Sequence, residues 1–184
     1  VATGTPLGIC TMDSSESRPL RCFDGTGTPS TGTIVFAPDL VSSGLLRIAA
    51  GGGTVEPATL IDRTRRETSH WYPVAIPGTA HFLFYVRSEE ATRRGIYLGR
   101  IDQPAEYAST RLFFADSGAT LLPRGPGEAD LVYLAEGRVE SRRFDLKTLE
   151  AADHARTVDW MRAEPTLKNP LMVSASPDVL AFSE

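Results

Sequence analysis

Phe82-Leu83-Phe84-Tyr85-Val86 is an unbroken apolar run of five residues, rich in aromatic and β-branched side chains. It is too short for a helix and does not alternate with polar residues. A strand of that composition has both faces buried. The same kind of run recurs as Thr33-Ile34-Val35-Phe36, Leu131-Val132-Tyr133-Leu134 and Val179-Leu180-Ala181-Phe182. The four begin at positions 33, 82, 131 and 179, in steps of 49, 49 and 48. A constant period in that range marks stacked structural units.

The flanks of the second run define the unit. His70-Trp71-Tyr72-Pro73-Val74 precedes it, with a turn at Pro77-Gly78-Thr79. A turn-like Arg87–Arg94 segment follows, then strand candidates over Gly95–Ile101 and Arg111–Phe114. That predicts a four-stranded meander. The preceding unit has candidates at Leu45–Ala49 and Ala58–Ile61 around a Gly51-Gly52-Gly53 turn. The following one has Ala119–Leu122 and Val139–Phe144, with a tight turn at Glu136-Gly137. Leu7-Gly8-Ile9-Cys10 reads as the outer strand of an earlier unit, and Leu146–Asp153 as a loop beside an edge strand. Arg142-Arg143 read as charges on that edge, and Arg93-Arg94 as solvated turn charges. Repeated four-stranded meanders predict an all-β fold of β-propeller type, with about three and a half antiparallel blades visible. The units run approximately over 24–66, 67–117 and 118–169, with partial units at 1–23 and 170–184 of a single domain. A β-sandwich is the rival architecture, but it has no reason to repeat at 49 residues.

Composition excludes several classes of function. The chain has 184 residues, 41% hydrophobic and 23% charged, which suits one packed domain. Its 19 basic and 23 acidic residues give a net charge of −4. That leaves no basic surplus for nucleic acid. No apolar run approaches the length of a membrane-spanning helix. Val1 opens the sequence without a signal-peptide pattern, so the chain reads as a processed product or a piece of something longer. Cys10 and Cys22 are twelve residues apart, which fits no metal or redox spacing. Two readings stand for them: a pair of free thiols, or one disulfide formed in an oxidising compartment.

Gly32-Thr33-Ile34-Val35-Phe36-Ala37-Pro38, Gly44-Leu45-Leu46-Arg47-Ile48 and Gly51-Gly52-Gly53-Thr54-Val55-Glu56-Pro57 are similar to WD40-like (TolB-like, PD40-type) propeller repeats. Glu67-Thr68-Ser69-His70-Trp71-Tyr72-Pro73, His81-Phe82-Leu83-Phe84-Tyr85 and Gly95-Ile96-Tyr97-Leu98-Gly99 resemble the propeller that lies C-terminal to bacterial, acidobacterial-type Ser/Thr protein kinases. The resemblance covers about Thr5 to Ser183 and implies a sensor or interaction module on the extracytoplasmic side, periplasmic or at the cell surface. The family's Pro-Asp-Gly turn reads Pro77-Gly78-Thr79 here and survives in part as Ser176-Pro177-Asp178, so looser hairpins are expected. No kinase signature is present, and kinase activity is not carried over.

No GxSxG, HExxH, P-loop or EF-hand pattern occurs, and Gly25-Thr26-Gly27 lacks the third glycine of a dinucleotide loop. The expectation is a non-enzymatic module with no cofactor, metal or catalytic residue. Its partner is a protein or small molecule of unspecified kind, and open blade edges offer a route to self-association. The alternative is the substrate-filtering propeller of a hydrolase such as a prolyl-oligopeptidase-like enzyme. The candidate ligand-binding residues are Arg65, Arg66, His70 and Trp71, in the connector between two units. The arginines and His70 suit an anionic or peptide ligand. The competing structural reading has Thr68, Ser69 and His70 bonding backbone groups between units, with Trp71 and Tyr72 packing there.

Overall fold

A computed structural model describes residues 32–38, 42–107, 110–162, 172–175 and 180–183 of the chain. These residues contain strands and two short 3-10 turns, with no α-helix among them. The fold is all-β.

The first sheet joins β1 (Thr33–Phe36), β2 (Leu46–Ala49) and β3 (Glu56–Pro57) in that order, all antiparallel. β4 (Thr59–Leu60) follows at once. The second sheet is the expected meander: β5 (Glu67–Ala75), β6 (His81–Ser88), β7 (Gly95–Arg100) and, past the two-residue β8 (Glu106–Tyr107), β9 (Arg111–Phe113). The third holds β10 (Thr120–Gly125), β11 (Glu128–Ala135) and β12 (Arg138–Asp145), and β12 also pairs with β13 (Glu150–Ala151) and β14 (Arg156–Arg162). β15 (Met172–Ala175) and β16 (Leu180–Ser183) form a last hairpin. The recurring runs are therefore strands β1, β6, β11 and β16. The last three are each the second strand of a hairpin. Val179, Leu7–Cys10, Cys22 and Ser176–Asp178 lie outside the described residues.

Local chemistry explains the turns. Glu136 and Gly137 have φ of 50° and 71°, both positive, which the two-residue β11–β12 hairpin requires. The β5–β6 connection is longer, as expected. Ile76 and His81 close it by a backbone bond of 3.0 Å, Gly78 turns at φ 75°, and the Thr79 hydroxyl donates to the Ile76 carbonyl. Gly95 admits no side chain, because a β-carbon there would collide with the Phe113 carbonyl.

β6 is covered on both faces. Leu83 and Tyr85 belong to a core shared with Ile96, Phe113, Leu131, Tyr133 and Phe144, between the second and third sheets. Phe82, Phe84 and Val86 belong to another, shared with Val35, Leu45, Ala58 and Tyr97, between the second and first. The period-two alternation of a strand distributes one run between two separate cores. The three sheets are thus stacked face to face, with the second in the middle. Two further links tie the first sheet to the second. Nη1 of Arg47 donates to the carbonyls of Ile101 (2.6 Å) and Gln103 (2.7 Å), and β4 pairs in parallel with β8.

Four readings change. The strand expected over Ala58–Ile61 is replaced by two short pieces, because Ala58 turns inward to the core and Thr59 is held by Leu45. The Leu146–Asp153 segment is a turn with a two-residue strand; Asp145 Oδ1 accepts from the amides of Lys147 (2.7 Å) and Thr148 (3.0 Å), and Leu149 adopts φ 61°. Arg142 is no edge-strand charge, since β13 and β14 cover β12. Its guanidinium lies 4.8 Å from the centre of the Phe113 ring, and its Nη1 donates to the carbonyls of Ala152 and Asp153. Arg94 is likewise bound, through Nε to the Ser88 carbonyl at 2.8 Å, whereas Arg93 is exposed beside Glu90.

Leu83→Ala and Phe84→Ala each open a cavity, but in different cores. Each is expected to lower stability, by about 2–5 and about 3–5 kcal/mol respectively, in urea unfolding followed by fluorescence. A loss at one position only would mean that β6 is covered on one face.

Candidate functional site

The connector from the first sheet to the second begins at Asp62. Its Oδ1 accepts from the Thr64 amide (2.9 Å) and hydroxyl (2.6 Å), capping a 3-10 turn over Arg63–Arg65. Those bonds hold the Asp62 carboxyl below its ordinary range, the Thr64 hydroxyl foremost. Arg66 ends the turn at φ 53°. The Ser88 hydroxyl sits 3.0 Å from the carbonyls of both Arg65 and Arg66, fixing the turn to the end of β6. The arginines are held by their backbones. The Arg66 side chain is exposed, and Arg65 Nε lies 3.9 Å from Glu67 Oε1.

β5 then carries two bulges, one between Glu67 and Ser69 and one between Trp71 and Val74. The first adds a residue, which brings Glu67 and His70 to the same face although they are three apart. His70 Nε2 lies 3.2 Å from Glu67 Oε2, and the Asp62 amide donates to that same oxygen at 2.9 Å. On its other side His70 Nδ1 meets Thr59 Oγ1 at 2.7 Å, and the Leu45 amide donates to Thr59 Oγ1 at 2.9 Å. The Thr59 hydroxyl has one proton. A carboxylate only accepts, so the His70 Nε2 that faces Glu67 is the donor of that pair, and in that tautomer Nδ1 accepts the Thr59 hydroxyl proton. The His70 amide also donates to the Ser43 carbonyl at 3.0 Å.

This hydroxyl–imidazole–carboxylate series has the order of a catalytic triad. It lacks a route to substrate. Thr59 is 5% exposed, His70 0% and Glu67 1%. The series runs from the first sheet into β5, and its groups are spent on joining the two.

The four sequence candidates do not converge. His70 faces the first sheet, with its ring 5.1 Å from that of Phe84. Trp71, the next residue, faces the third sheet and stands in the other core. Arg65 and Arg66 lie at the end of the hairpin. Trp71 instead meets Arg87, whose guanidinium is 5.5 Å from the centre of its ring. Tyr72 is set edge-on to Trp71 and adopts φ 53° in the second bulge; its β-carbon occupies the space that a side chain at Gly118 would need. Among the described residues no group of His, Cys, Asp and Glu side chains could hold a metal ion. No helix of the described residues is long and apolar enough to cross a membrane.

Sequence reading missed Thr59, Glu67 and Arg87; it named Ser69 as bonding backbone groups between units, whereas the Ser69 hydroxyl has no hydrogen-bond partner and Thr68 donates within the β5–β6 hairpin, to the Arg87 carbonyl. Arg87 carried a usable signal: it stands two residues after Tyr85 and hence on the same face of the strand.

Replacing His70 by Leu keeps volume but leaves the Thr59 hydroxyl without an acceptor and Glu67 without one of its donors. We expect a loss of about 2–4 kcal/mol in urea unfolding, since orphaning two buried polar groups costs more than the bonds gained. A variant as stable as the parent would remove the role of His70 as a staple. Burial pushes the phenols of Tyr72 and Tyr85 up to about 12. The unfolded phenols ionise near 10, so the folded chain keeps its protons where the unfolded chain loses them. Stability should therefore be fully present below about pH 10 and fall as pH rises through about 12, read by tyrosinate absorbance against unfolding. Tyr72→Phe and Tyr85→Phe should each reduce that alkaline loss.

Comparison of the chain with protein-family models, with curated proteins and with solved structures gives no match.

Proposed function

We propose that the chain is a non-enzymatic binding or scaffold module of β-propeller type, with WD40-like repeats, serving as the sensor or interaction part of a larger bacterial signalling protein on the extracytoplasmic side. The observation that carries this reading is the division of β6 between two cores, which stacks the sheets face to face as blades of a propeller would be. The spacing of the recurring strands along the chain supports it as well. So does the use of the most reactive-looking side chains, Thr59, His70 and Glu67, in sealing one sheet to the next. A module built in this way offers rigid walls and variable connecting loops, which is what binding needs. Edge strands of such sheets carry backbone donors and acceptors that suit self-association.

The test sets the module against the hydrolase alternative. The protein is assayed against nitrophenyl esters and a prolyl-peptide substrate, together with its Thr59→Val variant. Our expectation is no turnover by either form, with Thr59→Val less stable by about 1–3 kcal/mol, the cost of unpairing a buried hydrogen-bond network. Turnover by the parent that vanishes in Thr59→Val would overturn the reading, because it would make Thr59 a nucleophile.

A further inference from the structure

Two 3-10 turns stand side by side at one end of the second sheet, over Arg63–Arg65 and Ala91–Arg93. Each leads into the same tripeptide, Thr64-Arg65-Arg66 in the first and Thr92-Arg93-Arg94 in the second. Ser88 joins them: its hydroxyl oxygen lies 3.0 Å from the carbonyls of Arg65 and Arg66 and accepts from the Glu90 amide at 3.0 Å. The Glu89 amide donates to the Arg66 carbonyl (3.1 Å), and Arg111 Nη1 donates to the Arg94 carbonyl (3.2 Å). Residues 62–67 and 87–94, with Arg111, thus hold seven arginines against four carboxylates, Asp62, Glu67, Glu89 and Glu90. This rim carries +3 on a chain whose net charge is −4, so the rest of the chain carries −7. Two of its carboxylates are turned to the fold's own use, since Asp62 caps the first turn and Glu67 is 1% exposed. Arg63 and Arg66 are exposed, and neither side chain makes an ion pair or hydrogen bond among the described residues. Arg66 also holds φ 53° at the end of its turn, where glycine or asparagine is usual and a β-carbon costs free energy. Strain of this kind gathers at functional sites.

We propose that this arginine rim is a docking surface for an acidic segment of a partner protein, with Arg63 and Arg66 making the contacts that the fold does not claim. A guanidinium only donates, so its partner must be an acceptor, and the planar fork matches a carboxylate. Arg94 and Arg111 are bonded to backbone carbonyls, which are neutral and leave their charge uncancelled. Arginines spread over two exposed turns present several forks in place of one pocket, which suits several carboxylates spaced along a chain. Other polyanions fit less well. Glu89 and Glu90 stand among the arginines and repel an evenly charged phosphate backbone. Trp71 and Tyr97, the rings nearest the rim, are 7% and 0% exposed, so bases have nothing to stack on. Val55, beside β3, is the exposed large hydrophobic among the described residues, so the rim has no apolar group to place in a bilayer. A positive rim on a negative remainder also turns an approaching acidic partner toward the rim.

The inference rests on the binding-module reading and names its partner class. It is tested on the full protein by fluorescence anisotropy at low salt, about 50 mM, where exposed charges are little screened. The probe is a fluorescein-labelled Glu-Ser-Glu-Ser-Glu-Ser-Glu peptide. Its Gln counterpart, a single-stranded DNA of equal charge, and vesicles of phosphatidylserine and phosphatidylcholine are the comparisons. The Glu peptide should bind saturably and the Gln peptide should not. Arg63→Glu combined with Arg66→Glu should weaken binding at least about tenfold, one decade in Kd. Arg66→Glu alone should weaken it more than Arg143→Glu, the same reversal at an exposed arginine of the third sheet. Arg66→Gly should also weaken it, while leaving the unfolding midpoint unchanged or raised, since glycine suits φ 53° and the removed side chain had no bond to lose. No binding of the Glu peptide, an equal loss in Arg143→Glu, or tighter binding of the DNA or the vesicles would overturn the proposal. So would self-association in light scattering that the double variant abolishes, because it would assign the rim to a second copy of the chain. Failure to bind the Glu peptide, without ester or prolyl-peptide turnover, rejects the rim and leaves the module reading standing. Turnover lost in Thr59→Val rejects the module reading whatever the Glu peptide does.

Discussion

A strand whose neighbouring side chains must all be dry can exist only where something lies against each of its faces, and β6 imposes that condition on the rest of the chain. From Phe82 to Val86 every residue is buried, with even-numbered positions in one core and odd-numbered ones in the other. At roughly 25 cal/mol for each Å² of apolar surface removed from water, neither half of the run can be left exposed cheaply. The first sheet must therefore cover one side and the third the other. The connectors are shaped to keep them there: the 3-10 turn over Arg63–Arg65 delivers β5 to its place, and Arg47 reaches across to the backbone beyond β7.

Polar groups are treated differently at the two interfaces. Between the first and second sheets, Thr59, His70 and Glu67 Oε2 bond one another and two backbone amides, while Glu67 Oε1 has no hydrogen-bond partner and lies 3.9 Å from Arg65 Nε. Between the second and third, the polar contribution comes from Arg142, which bonds to the phenol of Tyr133 while covering Phe113. Ser69 and Trp71 have no such arrangement. Each interface thus carries buried polar atoms without a hydrogen-bond partner among the described residues: Glu67 Oε1 at the first, the Ser69 hydroxyl and Trp71 indole at the second.

Much of this architecture was legible in the sequence for a simple reason. Unbroken apolar runs such as Phe82–Val86 and turn pairs such as Glu136-Gly137 are local signals, and both survive in the structure. The meander from β5 to β9 follows from them directly. What escaped depends on distant partners or on a single inserted residue. Arg156–Arg162 has no apolar run, so nothing announced that it would cover β12 and turn Arg142 from an edge charge into a packed one. The bulge between Glu67 and Ser69 reverses the face of every residue before it, and period-two reasoning carries no information about where such a reversal falls. Grouping His70 with Trp71 placed both in the connector between units, whereas both lie in β5 and adjacent residues of a strand point opposite ways.

The two-faced character of β6 also bears on how such a chain can change over generations. A unit in this stack answers to a different neighbour on each side, so substitutions at Leu83 and Tyr85 should be correlated with those at Leu131 and Tyr133, one repeat later. Substitutions at Phe82 and Phe84 should follow Val35 and Leu45, one repeat earlier. Adjacent positions in a single strand would then drift independently of each other. A duplicated unit inserted into the stack would need its odd positions drawn from one parent and its even positions from another.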